Sequence, residues 1–426
     1  MTQILLPRRE VSEFLKGAQN LIPREILKEA EVIVERVRAG GESAIRDYAI
    51  RFGERSPEES LFISRDELMR QASGLESSDL IRLERVAQRI RAFATAQMDS
   101  FSSLDMKVPG GSVGHVIVPM AAAGCYAPGG RYPLPSSVLM SAIPARVAGV
   151  ETVWVASPKP TAMTLAAAYV AGADGVMAVG GAHAIAGLAF GVGPVPPSDV
   201  IVGPGNLYVT AAKQLLAGSV AIDMLAGPSE LVVIADETAD PAWVAADLLA
   251  QAEHDPEALP ILISLDPDLV SRVEEELKIQ LADLPTAEIA RAALQKGGGL
   301  VCSSVEEAVQ LCDAIAPEHL QLSVGDPTEL ESRLHHYGAL FIGEWSAEVF
   351  GDYGVGPNHV LPTSGTARSR GGLSVMDFVR IRTWMQLDES LPRELVEDSA
   401  WLARQEGLEA HARAAEHRWK GNLAGG

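Results

Sequence analysis

The sequence predicts an α/β fold with mostly parallel sheets, entered by a helical arm and closed by a helical tail. Three observations carry that reading. Short apolar runs alternate with helical stretches through the middle of the chain, as in βαβ units. Those runs are continuous rather than alternating, as expected of strands covered on both faces. The first hundred and last thirty residues lack such runs and are rich in charge.

From Arg24 to Met98, apolar residues recur at three- and four-residue spacing, predicting helices over Arg24–Ala39, Glu42–Arg51 and Ser78–Met98. Near Val108 the texture turns β-rich. Strands are predicted at Thr152–Ala156, Gly175–Val179, Val200–Val202, Leu231–Ile234, Ile261–Leu265, Leu300–Cys302 and Ala339–Ile342. Helices are predicted between them at Ala162–Ala171, Ala182–Phe190, Leu207–Leu216, Pro241–Gln251, Pro267–Leu281 and Val305–Ala314. Asp240 before Pro241 is a well-formed helix start, a side-chain cap followed by a residue that needs no amide partner. Past Leu373 the strands are expected to cease. Asp398–Glu406 and Leu408–His417 read as helices, and the terminal GNLAGG is expected to fray.

The chain has 426 residues, enough for about three units at ~150 residues each. Its 35 basic and 56 acidic residues give a net charge of −21, which disfavours nucleic acid and anionic membranes as partners. Three cysteines (Cys125, Cys302, Cys312) with no CxxC pair argue against a disulfide framework and for a reducing cytoplasm. The start, MTQILLPRREVSEF, carries charge before any leader-length apolar stretch, and no uninterrupted span of ~20 apolar residues occurs.

Five stretches place polar groups in turns at strand ends, where α/β proteins bind ligands. Gly124–Ser137 (GCYAPGGRYPLPSS) has a backbone open to close approach and the Tyr126 ring and hydroxyl; it also suits a plain strand-to-helix connection. Gly203-Pro204-Gly205-Asn206 opens a helix, where free amides attract anions, but the third glycine of a dinucleotide fingerprint is replaced by Tyr208. Gln251 and His254 share a helical face and can point at one metal; a histidine at a helix end also pairs with the dipole. Glu318-His319 can act as a general acid/base pair. Adjacent strand residues point to opposite faces, so this pair meets one ligand only if the backbone turns, and a solvated turn is the alternative. Gly351–His359 sets Asp352 and His359 in a glycine-rich loop, suited to a metal or substrate or to local turn bonds. His411, five residues after Glu406, offers another ligand.

Together these stretches resemble the L-histidinol dehydrogenase family, from about Tyr48 to His411. The resemblance rests on YAPGGRYPLPSSVLMSAIPARVAGV, VGPGNLYVTAAKQLL, AIDMLAGPSELVVIAD, LLAQAEHDP, APEHLQL, GDYGVGPNHVLPTSGTARSRGGLSVMDF and EGLEAHA, occurring in that order. It implies two incomplete Rossmann-like domains. Residues 23–122 and 230–374 would form the first and 123–229 the NAD-binding second, with an arm at 1–22 and a helical segment at 375–426 swapped within a homodimer.

The resemblance also implies one Zn²⁺ per subunit, held by Gln251, His254, Asp352 and a His411 donated by the partner subunit across a shared active site. Substrate contacts would fall on Ser229, His319 and Glu406 together with the four metal ligands, and NAD⁺ contacts on Tyr126, His183 and Asn206. The implied reaction oxidises L-histidinol through the aldehyde to L-histidine with two NAD⁺. His319 would take the alcohol proton and Glu318 would activate water on the aldehyde. This chain departs from the family at His183, where Gln is common, at Val200, where a basic residue is frequent, and at Arg131-Tyr132. A related branch that oxidises sulfonated diols such as 2,3-dihydroxypropane-1-sulfonate is the nearest alternative. Glu406 would pair with a substrate ammonium and poorly with a sulfonate. A catalytically silent zinc-binding homologue is a second alternative, against which the retained Glu318 and His319 argue.

Overall fold

The apolar runs become strands in a computed structural model that describes residues 4–15, 22–129 and 132–420. Arg131 and the GNLAGG end lie outside the described residues, as does part of the 1–22 arm. In chain order the first seven strands are β1 (Phe62–Ser64), β2 (Leu104–Val108), β3 (Gly111–Pro119), β4 (Ala122–Tyr126), β5 (Thr152–Ala156), β6 (Gly175–Met177) and β7 (Val200–Val202). The next seven are β8 (Ala221–Ile222), β9 (Glu230–Ala235), β10 (Leu259–Ser264), β11 (Gly298–Val301), β12 (His319–Ser323), β13 (Ala339–Ile342) and β14 (Val379–Leu387).

These form three sheets. The six-stranded sheet runs β1-β6-β5-β4-β7-β8 and is parallel except for β1, which pairs antiparallel with β6. The five-stranded sheet, β11-β10-β9-β12-β13, is parallel throughout. The third, β14-β3-β2, is antiparallel. The chain divides into two units, Met1–Ala96 with Met120–Phe378, and Gln97–Pro119 with Val379–Gly426. The first holds both parallel sheets; the second holds the antiparallel sheet and two helices, Arg393–Gln405 and Glu409–Lys420.

Two expectations about organisation are corrected. Residues 23–122 were grouped with 230–374, yet the helix Arg24–Arg51 seats Val34, Val37, Ile45 and Tyr48 in one core with Met177, Ile185 and Leu188. It therefore covers the six-stranded sheet, to which β1 adds an edge. That helix is broken at Gly41, whose φ of +52° suits glycine, in agreement with the two predicted segments. Strands do not cease at Leu373 either: β14 spans Val379–Leu387, so residues 375–426 are not wholly helical. Arg380 and Arg382 interrupt its apolar residues, and Ile381 and Met385 are themselves exposed, so no buried apolar run marks this antiparallel strand. The N-terminal arm contributes Leu5 and Leu6 to the core beneath the five-stranded sheet, and Arg8 bridges Gly299 in parallel.

The helix Pro241–Ala252 follows β9 and returns to that strand's starting end. Its Asp240 cap accepts from the Ala242 amide at 2.8 Å. Asp240→Ala is expected to cost about 1 kcal/mol, seen as a lowered urea midpoint. No helix among the described residues is long and apolar enough to cross a membrane.

Candidate active site

Glu318 and His319 stand at the starting end of β12. The preceding helix, Val305–Ile315, ends on Ala316 in the left-handed region at φ +53°. The chain then passes through Pro317 into the strand, and this bend lets adjacent side chains converge. Glu318 Oε2 lies 3.7 Å from His319 Nδ1, and both residues are buried. Each is anchored. Glu318 accepts from the Glu230 amide at 2.9 Å and from the Ser229 hydroxyl. His319 Nδ1 is 3.1 Å from the Glu230 carbonyl, to which it donates. That bond leaves Nε2 facing inward with no hydrogen-bond partner.

Two further carboxylates close on the imidazole. Glu348 Oε1 lies 3.7 Å from Nδ1, and Asp352 Oδ1 lies 3.6 Å from Nε2. Both come from the helix Glu348–Tyr353, one turn apart, so they share its buried face. A loop was expected around Asp352; the side chain is instead set on this short helix, whose Val349, Phe350 and Tyr353 are exposed. Candidate ligand atoms of His319, Glu348 and Asp352 all lie within 4.8 Å of one another. Sequence reasoning missed Glu348, because the helix that pairs it with Asp352 has six residues, too few for a period to show. His359 donates from Nδ1 to the Asp352 carbonyl at 3.0 Å, tying the end of the glycine-rich stretch to the same helix.

Gln251 and His254 close the helix Pro241–Ala252, with Gln251 Nε2 3.4 Å from His254 Nδ1. Gln251 is fully buried and its Oε1 has no partner. His254 feels the charges of Asp352 and His319, while the three groups whose ligand atoms converge are His319, Glu348 and Asp352. Glu406 follows the helix Arg393–Gln405 and His411 lies in Glu409–Lys420; both are exposed and belong to the other unit of the chain.

Burial and mutual repulsion set the protonation states. Burial pushes Glu318 up to about 7, opposed by the charge of His319 and by its bonds from Glu230 and Ser229. Glu348 rises to about 8, chiefly through burial, and Glu230 to about 8 through burial and the neighbouring Glu318. Burial works to lower His319, but Glu348, Glu318 and Asp352 together carry it well above the usual imidazole value. Burial favours neutral Asp352, yet His319, His359 and His254 hold it below the ordinary carboxylate range. His254 is lowered by its burial. A site that holds groups this far from their ordinary ionisation is suited to proton transfer.

The residues expected to contact the cofactor sit elsewhere, at the finishing ends of strands in the six-stranded sheet. Tyr126 ends β4; its buried hydroxyl accepts from the Gly181 amide at 3.1 Å. His183 is buried with Nε2 2.9 Å from Glu54 Oε2, while Nδ1 has no partner. Asn206 follows β7 and caps the helix Leu207–Leu216, its Oδ1 accepting from the Tyr208 and Val209 amides at 3.0 and 3.2 Å. It is the one exposed member of the three. Val200 is a core residue of β7.

A family model described as histidinol dehydrogenase matches residues 18–419. A histidinol dehydrogenase of Thermus thermophilus is 50% identical over 337 residues, which is 79% of this chain and 81% of that protein. One of Cupriavidus pinatubonensis is 42% identical over 422 residues, 97% of this chain and 94% of that protein. The crystal structure of a histidinol dehydrogenase from Elizabethkingia anophelis superposes with a TM-score of 0.92 at 30% identity, covering 99% of this chain and 100% of that one. The geometry of the site and the extent of these matches lead to one conclusion: the chain belongs to the histidinol dehydrogenase family.

Proposed function

We propose that the protein oxidises L-histidinol through L-histidinal to L-histidine, the last step of histidine biosynthesis, with zinc and NAD⁺. The observation that carries this reading is the buried Glu318–His319 pair at 3.7 Å, set against Asp352 and Glu348.

A metal fits the donors present. Gln251 Oε1, His319 Nε2 and Glu348 Oε2 are buried polar atoms without partners, a costly state that a bound cation and substrate would relieve. A nitrogen and oxygen donor set suits zinc. We assign its ligands to Gln251, His254 and Asp352 of one subunit and to His411 of a second copy in a homodimer. The exposed positions of Glu406 and His411, and the exposed apolar residues of the helix Glu348–Tyr353, support a shared site of this kind. Zinc bound there would orient the imidazole and amine of the substrate and offset the carboxylate field on His319.

The chain's own residues then divide the work. His319 Nδ1 is committed to the Glu230 carbonyl, so Nε2 takes the alcohol proton as the first hydride departs. Glu318 takes a proton from the water that adds to the aldehyde; the hydrate then gives the second hydride to a second NAD⁺ and releases its remaining acidic proton to solvent, leaving the carboxylate. Ser229, which bonds Glu318, is assigned to the substrate as well; Glu406 of the completed site pairs with the substrate ammonium. We assign the NAD⁺ contacts to Tyr126, His183 and Asn206. All three cysteines are free and buried, which supports a cytoplasmic setting.

Glu318 acts only as the carboxylate, and its ionisation is centred at about 7. Conversion of L-histidinal to L-histidine should therefore fall about tenfold per pH unit below that midpoint and level off above it. Steady-state rates from about pH 5.5 to pH 9 check this, and Glu318→Gln should erase the limb. The function itself is tested by NADH absorbance with zinc-replete protein and L-histidinol, two NADH forming per histidine. Turnover of 2,3-dihydroxypropane-1-sulfonate alone, or no NADH at all, defeats the assignment.

A further inference from the structure

Lys213 and Asp223 form an ion pair in the interior of the first unit, at 2% and 1% exposure. Lys213 lies on the helix Leu207–Leu216 and Asp223 directly after β8. Taking both charges out of water is expensive, and an ion pair recovers that cost only when further hydrogen bonds satisfy what remains of each group. Here those bonds converge on one residue. Asp223 Oδ2 accepts from the Gly203 amide at 2.7 Å, and Lys213 Nζ donates to the Gly203 carbonyl at 3.0 Å. Asp223 Oδ1 takes the Lys213 ammonium and, at 2.6 Å, the Met224 amide. Arg370 donates to the Asp223 carbonyl from outside.

Gly203 is the residue at which β7 gives way to the turn carrying Asn206. Its φ of +111° is a conformation that L side chains rarely adopt, and a Cβ there would overlap the carbonyl oxygen of Tyr126. The ion pair thus grips both polar groups of a residue wedged between two of the assigned cofactor contacts. A pair needed only for packing could be replaced by apolar side chains of like volume at little loss. A pair needed to fix this turn could not.

We propose that Lys213 and Asp223 are positioning residues for the dinucleotide, locking the 203–206 turn against Tyr126 so that Asn206 is presented in one conformation. This rests on the NAD⁺ reading above. Binding a preorganised turn avoids the ordering cost that a loose one imposes, so the effect should appear in cofactor affinity.

The test measures NADH binding directly by fluorescence, KM for NAD⁺ and for L-histidinol, zinc content and the thermal midpoint. Lys213→Met with Asp223→Leu removes the pair without stranding a charge. Its Kd for NADH and KM for NAD⁺ should rise about tenfold or more, with KM for histidinol and zinc content unchanged. Lys213→Gln with Asp223→Asn, which strands no charge and keeps hydrogen-bonding groups at both positions, should show a smaller rise of about threefold and decides the matter if the apolar double variant fails to fold. Variants that bind NADH like the parent, whatever their thermal midpoints, overturn the proposal. A parent that binds no NADH instead overturns the cofactor reading on which it stands.

Discussion

His319→Asn lowers the rate of L-histidinol oxidation by ~10²–10⁴-fold while L-histidinal is still converted to L-histidine, and Glu318→Gln does the reverse. The expectation follows from how the two groups are held. His319 spends Nδ1 on the Glu230 carbonyl and keeps a partnerless Nε2 in the interior. Asparagine fills similar space and can keep the first bond, but has no basic nitrogen. Glu318 is fixed by the Glu230 amide and the Ser229 hydroxyl, so glutamine preserves the fold and forfeits only the ability to take a proton from water. Single-turnover measurements with alcohol and with aldehyde separate the halves. Equal loss in both halves from either variant would mean that the pair acts as one base and that this division of labour is wrong.

The second large effect concerns the metal. Asp352 belongs both to the ligand set implied by the family and to the convergent group of His319, Glu348 and Asp352. Asp352→Asn removes the charge but keeps the shape, and should weaken zinc binding by more than the ~10–100-fold typical of changes in outer-shell partners. Histidinol turnover should vanish in parallel and return in part with excess zinc. NADH binding should be untouched, because Tyr126 and Asn206 stand on the other sheet. Metal content after gel filtration and competition with a chromogenic chelator give the readout. Zinc retained at full stoichiometry in Asp352→Asn would remove this residue from the ligand set.

Seven of the parallel strands were legible because each is an apolar run with turn residues on both sides; Thr152–Ala156, Val200–Val202 and Ala339–Ile342 hold to the residue, whereas β4, β8 and β12 went unread, His319 and Gln321 interrupting the last. β14 was not, because Arg380 and Arg382 break its apolar run. The helix Glu348–Tyr353 spans fewer than two turns, too few for a period to show, and it hid Glu348 with it. Whether Glu318 and His319 could meet was undecidable from spacing, since strand alternation argues against it and the answer lay in one left-handed residue, Ala316. The sequence also could not reveal that the acid–imidazole pair occupies the starting ends of one sheet while Tyr126 and Asn206 occupy the finishing ends of another. Strand direction emerges only once the sheets assemble.

The six-residue helix that aims Glu348 and Asp352 inward turns Val349, Phe350 and Tyr353 outward. Polar replacements chosen to make this surface more soluble would therefore act less than one helical turn from two buried acids. Attempts to engineer handling properties here are bound to become experiments on catalysis.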